Sequence, residues 1–295
     1  MQSMVATRLY YRLENGTNYL NLPRDLSEYH RKLHRAKNIY TVYGGFIRNN
    51  DSCSAKFAVA PLTWQSKAAV NRTFKIWRKM VSQTLSKKEG LQSGKWNDFK
   101  MLLDGAMSSS NTRPALDAGN QTMATGEWDY STLTQPQLID PDGDGGLEYD
   151  ANADQWETHI VGNHGGAAPN YTRIGMIRSW TDSKAPVQSS GEPSNILNPL
   201  DPLSNKFEVE DDDEEKVTII MNEGDLPPYD RDEPFGIQDG ALSSVGTADN
   251  GASATITPVG NNVPGFQALC GLVRVVVAGG TTELWIDVES QGESF

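Results

Sequence analysis

Apolar residues keep a regular spacing through the first ninety positions, lose it in the middle of the chain, and recover it near the C-terminus. Residues 5–13 alternate and predict a strand, closed by a turn at Glu14-Asn15-Gly16. Pro23 opens a short helix over about 25–36, where Leu26, Tyr29, Leu33 and Ala36 fall at helical spacing. Its other faces carry His30, Arg31, Lys32, His34 and Arg35. Residues 38–48 and 54–62, rich in Tyr, Val, Ile and Phe, predict two strands around the turn Asn49-Asn50-Asp51-Ser52. The clearest helix covers about 65–88, with Val70, Phe74, Trp77, Val81 and Leu85 forming one apolar stripe. Arg72, Lys75 and Lys79 fall nearly opposite that stripe, and Arg78 lies on its flank.

From 105 to 168 the pattern dissolves into Gly, Ser, Asn, Asp and Pro, and β-like pieces return only at 171–180 and 216–221. Residues 266–277 predict a long strand and Gly279-Gly280 a hairpin turn. Over 283–288, Leu284, Ile286 and Val288 alternate with Glu283, Trp285 and Asp287. Short strands, long connections and few helices set the expected fold class. It is mainly β: a jelly-roll-type antiparallel β-sandwich with two short helices in the N-terminal half and long loop insertions. A single domain over 1–295 is expected, with loop-rich insertions at about 104–168 and 181–262. A chain of this length can bury a substantial core.

Composition adds turns and subtracts several functions. Hydrophobic residues make up 37%, with 27 Gly and 15 Pro. No apolar run approaches the ~20 residues that cross a bilayer, so no membrane partner is expected. The first residues lack a charged start followed by an apolar stretch, so no export signal is expected. The Asn-x-Ser/Thr sites at Asn15, Asn71, Asn120 and Asn170 are therefore taken as chance. Cys53 and Cys270 are too few for a disulfide framework and fit buried free thiols.

Charge changes the picture most. The net charge is −12, yet residues 1–100 hold 18 Lys and Arg against 6 Asp and Glu. The remainder holds 8 against 32. Opposite signs on the two parts suit a protein that presents different faces to different surroundings. A basic part lining an enclosed space would hold a polyanion without any sequence-reading motif, because phosphate contacts release counterions. Arg31, Arg35, Arg72, Lys75, Arg78 and Lys79 are the candidate nucleic-acid contacts. The bland alternative is pairing of these cations with acidic loops of the same chain.

Asp25-Leu26-Ser27, Arg31-Lys32-Leu33-His34-Arg35, the strands that follow, the Trp-containing basic helix and Lys95-Trp96-Asn97-Asp98-Phe99 form one series. It resembles the front half of capsid proteins of small, circular, Rep-encoding single-stranded DNA viruses, known largely from environmental sequences. Val263-Pro264-Gly265-Phe266 with Leu269-Cys270-Gly271-Leu272-Val273 is similar to their last strand region. The resemblance implies a coat subunit of the virion, made inside the host cell. Copies would self-assemble into an icosahedral shell around single-stranded DNA, with the basic third facing the genome and the acidic remainder facing outward or toward subunit contacts. Many such proteins carry an Arg-rich arm; here the basic charge sits within expected folded elements.

Candidate chemistry is sparse. Asp140, Asp142 and Asp144, in Asp140-Pro141-Asp142-Gly143-Asp144-Gly145, have the alternation that wraps Ca²⁺ with oxygen ligands, against the plainer alternative of an acidic turn. The closing position of an EF-hand loop is Ala151 rather than Glu. His159 and His164 are spaced too loosely for a zinc site. GxxxxGK[ST], HExxH, GxSxG and CxxC motifs are absent, so no enzyme is expected. The alternative is a secreted β-rich carbohydrate-binding or adhesion module.

Overall fold

The computed structural model describes residues 6–49, 53–86, 94–123, 126–139, 148–167, 170–183, 243–250 and 260–291. The chain divides into two compact units, Met1–Trp180 with Phe235–Phe295, and Thr181–Pro234; every described strand belongs to the first. The described residues are mainly β with three helices. The N-terminal part runs β1 (Thr7–Leu13), β2 (Gly16–Asn21), α1 (Leu22–His30), β3 (Ile39–Asn49), β4 (Cys53–Val59) and α2 (Trp64–Ser86). Then come β5 (Leu102–Asp104), β6 (Thr112–Arg113), β7 (Thr132–Ile139), β8 (Glu148–Val161), β9 (Gly165–Ala167), β10 (Asn170–Gly175) and α3 (Met176–Asp182). The last part holds β11 (Ser243–Asn250), β12 (Asn261–Val263), β13 (Phe266–Leu269), β14 (Leu272–Ala278) and β15 (Thr282–Gln291).

Two sheets share one core. The first runs β1-β15-β3, with β12 and β13 both paired to β3, all antiparallel. The second runs β11-β4-β14-β2-β6, antiparallel except for the short β2–β6 pair. Period-two alternation directs Leu9, Tyr11, Leu13, Val42, Leu284, Ile286 and Val288 of the first sheet inward. There they meet Phe57, Val59, Val273, Val275 and Val277 of the second. Burying each such side chain fully is worth about 1.5–3 kcal/mol.

The outer face of the second sheet is covered as well. Tyr19 and Leu272 join Ala69, Val70 and Trp77 of α2, with Leu102, Ile160, Val161 and Met176, in a second apolar cluster. Asp104 pins this junction. Its buried carboxylate accepts from the Tyr19 hydroxyl at 2.8 and 3.0 Å and lies 3.3 Å from the Arg274 guanidinium. A third sheet, β5-β8-β10-β9 with β7 also on β8, belongs to the same region of the chain.

Five expectations change. The stretch 266–277 is not one strand, and Gly279-Gly280 does not close a hairpin. The chain breaks at Cys270-Gly271, both at positive φ (58° and 65°), and β13, β14 and β15 pass from first to second and back to first sheet. A Cβ on Gly271 would lie 2.5 Å from Pro23 and 2.7 Å from Tyr40, so only glycine fits this corner. The expected helix over 25–36 stops at His30. Arg31 turns left-handed (φ 53°) and the Ser27 hydroxyl accepts the His34 amide at 2.8 Å, ending the helix. The stretch 105–168 carries β6 to β9 in place of loop, and 171–180 continues from strand into α3. Residues 216–221 lie outside the described residues. Cys270 is a buried free thiol, held protonated by burial.

Candidate nucleic-acid interface

Helix α2 begins at a Thr63 cap, whose hydroxyl accepts the Ser66 amide at 3.1 Å. Its apolar stripe packs as the spacing predicts. Val70 and Trp77 are buried, Phe74 and Val81 partly so, and Phe99 stacks against the stripe at 5.6 Å from Trp77 and 6.2 Å from Phe74. Lys75, Arg78 and Lys79 stand exposed on other faces and make no ion pair among the described residues. Arg72 departs from the expected cationic face: it is half-buried, its guanidinium 6.0 Å from the Trp180 ring centre.

The connection from α1 to β3 runs beside α2. Lys37 donates to Asn71 at 3.1 Å and lies 4.6 Å over the Phe74 ring; burial first, then the Lys75 charge, lowers its pKa. Arg31 is exposed. Arg35 is exposed too, but sits 3.7 Å from the buried Asp98 carboxylate, whose other oxygen accepts the Ala36 amide at 3.0 Å. Of the six expected contacts, Arg31, Lys75, Arg78 and Lys79 thus present their charge to solvent. Arg35 is partly neutralised by an ion pair, and Arg72 packs against an aromatic ring.

Between the end of α1, the middle of α2 and the segments 94–100 and 126–132 lies a groove of about 920 Å³. Trp77, Trp128 and Tyr130 form aromatic walls, Trp96 is 56% exposed, and Arg31, Lys32 and Lys95 are cations on its lining. Lys100 lies 4.7 Å over the Trp128 ring. Glu28 also lines the groove. It is held by the first core: Tyr11 donates to Asp25 at 2.7 Å, and Arg24 grips Asp25 at 2.9 Å and reaches Glu28 only at 3.9 Å. The Glu28 side chain is 8% exposed and its Oε2 has no hydrogen-bond partner. Burial, reinforced by the neighbouring Asp25 charge, pushes its pKa up to about 7. The Trp128 indole N–H is a second buried polar atom without a partner.

Sequence reasoning passed over Glu28, Trp128 and Tyr130. Glu28 looks like an ordinary solvated acid on a short helix, and the other two fall where periodicity had vanished. Asp140, Asp142 and Asp144 lie outside the described residues. Among the described residues no cluster of three or more His, Cys, Asp or Glu could hold a metal ion. His159 is buried in β8 with Nε2 2.8 Å from the Asn163 carbonyl, and His164 accepts the Gly175 amide at 3.2 Å.

The open face of the first sheet is a second feature. Tyr10, Trp285 and Phe46 are direct cross-strand neighbours on β1, β15 and β3, with ring centres 5.0 and 6.0 Å apart. Arg8, Arg12 and Arg48 flank them beside Glu283 and Asp287. No described helix is long and apolar enough to cross a membrane. Comparison with known proteins finds no matching family model, no matching curated protein and no matching solved structure.

Proposed function

We propose that the chain is the coat subunit of a small virus, a jelly-roll protein that assembles with copies of itself into a closed icosahedral shell around a nucleic-acid genome. Strand order is the observation that carries this reading. Counting β12 and β13 as one strand and omitting the short β6, eight strands fill two sheets in the orders 1-8-3-6 and 5-4-7-2. Successive strands change sheet at nearly every step, as two interleaved Greek keys require. The third sheet and α2 then form one long insertion between the fourth and fifth strands.

A fold alone does not define a function. The second support is the segregation of charge, with the exposed cations of α2 and of the α1–β3 connection concentrated in the first hundred residues. In this reading they meet the genome, and the acidic remainder faces water or neighbouring subunits. Single-stranded DNA is the genome that the resemblance of the N-terminal and C-terminal stretches implies. Ca²⁺ on Asp140, Asp142 and Asp144 belongs to the same proposal, as a weak clamp on an acidic turn. The subunit is made inside the host cell and resides in the virion; no catalytic role is proposed.

The experiment is nuclease protection. The protein is expressed, treated exhaustively with nuclease, and separated by sedimentation. Nucleic acid recovered from a fast, uniform band supports the shell; its complete loss, with all protein at the top of the gradient, contradicts it. A second reading, a secreted carbohydrate-binding or adhesion module, is favoured by the aromatic row Tyr10–Trp285–Phe46, which offers flat rings flanked by hydrogen-bonding charges. Monomeric protein that binds glycan through Trp285 would establish that reading instead.

A further inference from the structure

We propose that the groove at the end of α1 takes a single unpaired guanine of the enclosed strand, with Glu28 accepting from the donors on its Watson–Crick edge. The inference rests on the nucleic-acid reading above and adds base selectivity to it.

Four features of the groove converge on one nucleotide. Its volume of about 920 Å³ accommodates a nucleotide with its neighbouring phosphates. Trp96, 56% exposed, and Trp128 supply ring surface on which a base stacks, an attraction that every base shares. Arg31, Lys32 and Lys95 supply charge for the backbone and carry no sequence information. Selectivity calls for polar groups of the lining, and two lining residues each hold a buried polar atom without a partner: Glu28 Oε2 and Trp128 Nε1. Native proteins rarely leave such groups unsatisfied, and each instance calls for an explanation.

The chemistry of the two orphans selects the base. Above its pKa of about 7 Glu28 is a carboxylate that only accepts, and its other oxygen has just the Arg24 contact at 3.9 Å. Guanine presents two adjacent donors, N1–H and N2–H, with the O6 acceptor beside them. The carboxylate takes the donors, and the indole N–H of Trp128 is the donor that O6 needs. Adenine and cytosine set one donor against a ring acceptor, and thymine sets one donor between two acceptors. Each of these would bring a lone pair against the carboxylate. A residue that buries an acid with a spare oxygen, where Gln or Leu would pack at lower cost, fits a site whose partner arrives from outside.

Tryptophan fluorescence provides the readout, since Trp77, Trp96 and Trp128 surround the groove. Full-length protein is titrated with the pentanucleotides d(TTGTT), d(TTATT), d(TTCTT) and d(TTTTT), and separately with dGMP. The guanine pentamer should bind about tenfold tighter than the others, within the range of one good bidentate base contact. Glu28→Gln should bring all four pentamers to one affinity while leaving the weaker common binding in place, and Trp128→Phe should narrow the gap. Equal affinity of the unmodified protein for all four overturns the guanine site while leaving the nucleic-acid reading intact. Absence of binding to any pentamer overturns that reading itself. If dGMP alone binds as tightly as the pentamer, the assignment to a strand is overturned in favour of a free-nucleotide site.

Discussion

Truncating Trp77 to Ala tests whether α2 lies on the second sheet as described. The indole is 9% exposed and packs between Phe74 and Phe99, at 6.2 and 5.6 Å between ring centres. Loss of a buried Trp costs about 3–5 kcal/mol, of which the ring pairs supply about 0.5–1.5. One edge of Trp77 lines the open groove, so removing it enlarges a wet cleft more than it leaves a sealed void, and the lower end of the range, about 3 kcal/mol, is expected. For a domain of this size that corresponds to a fall in Tm of about 6–12 °C. Phe74 is only partly buried, and Phe74→Ala should cost less, about 2 kcal/mol. Thermal unfolding followed by circular dichroism gives both values. The double variant should show coupling of about 0.5–1.5 kcal/mol, as touching rings do. An unchanged Tm for Trp77→Ala, in soluble protein, would refute the placement of α2 and the second core with it.

Charge reversal at Lys75, Arg78 and Lys79 to Glu should leave the fold within about 0.5 kcal/mol per site, because all three are exposed. It should lower the 260/280 nm absorbance ratio of purified particles and flatten the salt dependence of binding to single strands by about two units of slope; an unchanged ratio contradicts a genome-facing ridge. Glu28 gives a pH test. Its folded pKa of about 7 lies above the ordinary 4.5, so between those values the unfolded chain releases a proton that the folded chain keeps. Stability from this group is therefore greatest below pH 4.5 and is lost as pH rises toward 7. Glu28→Gln should melt higher than the unmodified protein at pH 8 and converge with it near pH 4, and a pH-independent difference would contradict the buried acid. Gly271→Ala should cost at least about 2 kcal/mol, from positive φ and the collision with Pro23, or prevent soluble expression; a neutral result would mean that the corner between β13 and β14 is absent.

The sequence displayed the strands that alternate and the helix that carries a stripe, because burial on one side writes a period into the chain. β1, α2 and β15 are of this kind. It could not display pairing: Gly279-Gly280 between two apolar runs has the local chemistry of a hairpin and of a corner between sheets, and only the long-range partners of β14 and β15 distinguish them. The third sheet was illegible for another reason. In β8, EYDANADQWETHIV, the first half sets only Tyr149, Ala151 and Ala153 against its polar positions, too weak an apolar alternation to mark a strand. At the candidate site the exposed cations of α2 were readable from the helical wheel, whereas Arg72 was not, because its ring partner Trp180 lies far along the chain. Glu28 carries no local signal at all; its burial follows from the docking of α1 through Asp25 and Tyr11.

Negative-stain electron microscopy of the purified chain tests the central claim most directly. The account predicts uniform closed particles of one diameter, formed by the unmodified protein without any partner and retaining nucleic acid after nuclease treatment. A field of dispersed subunits that also sediment as monomers across salt and pH would contradict it.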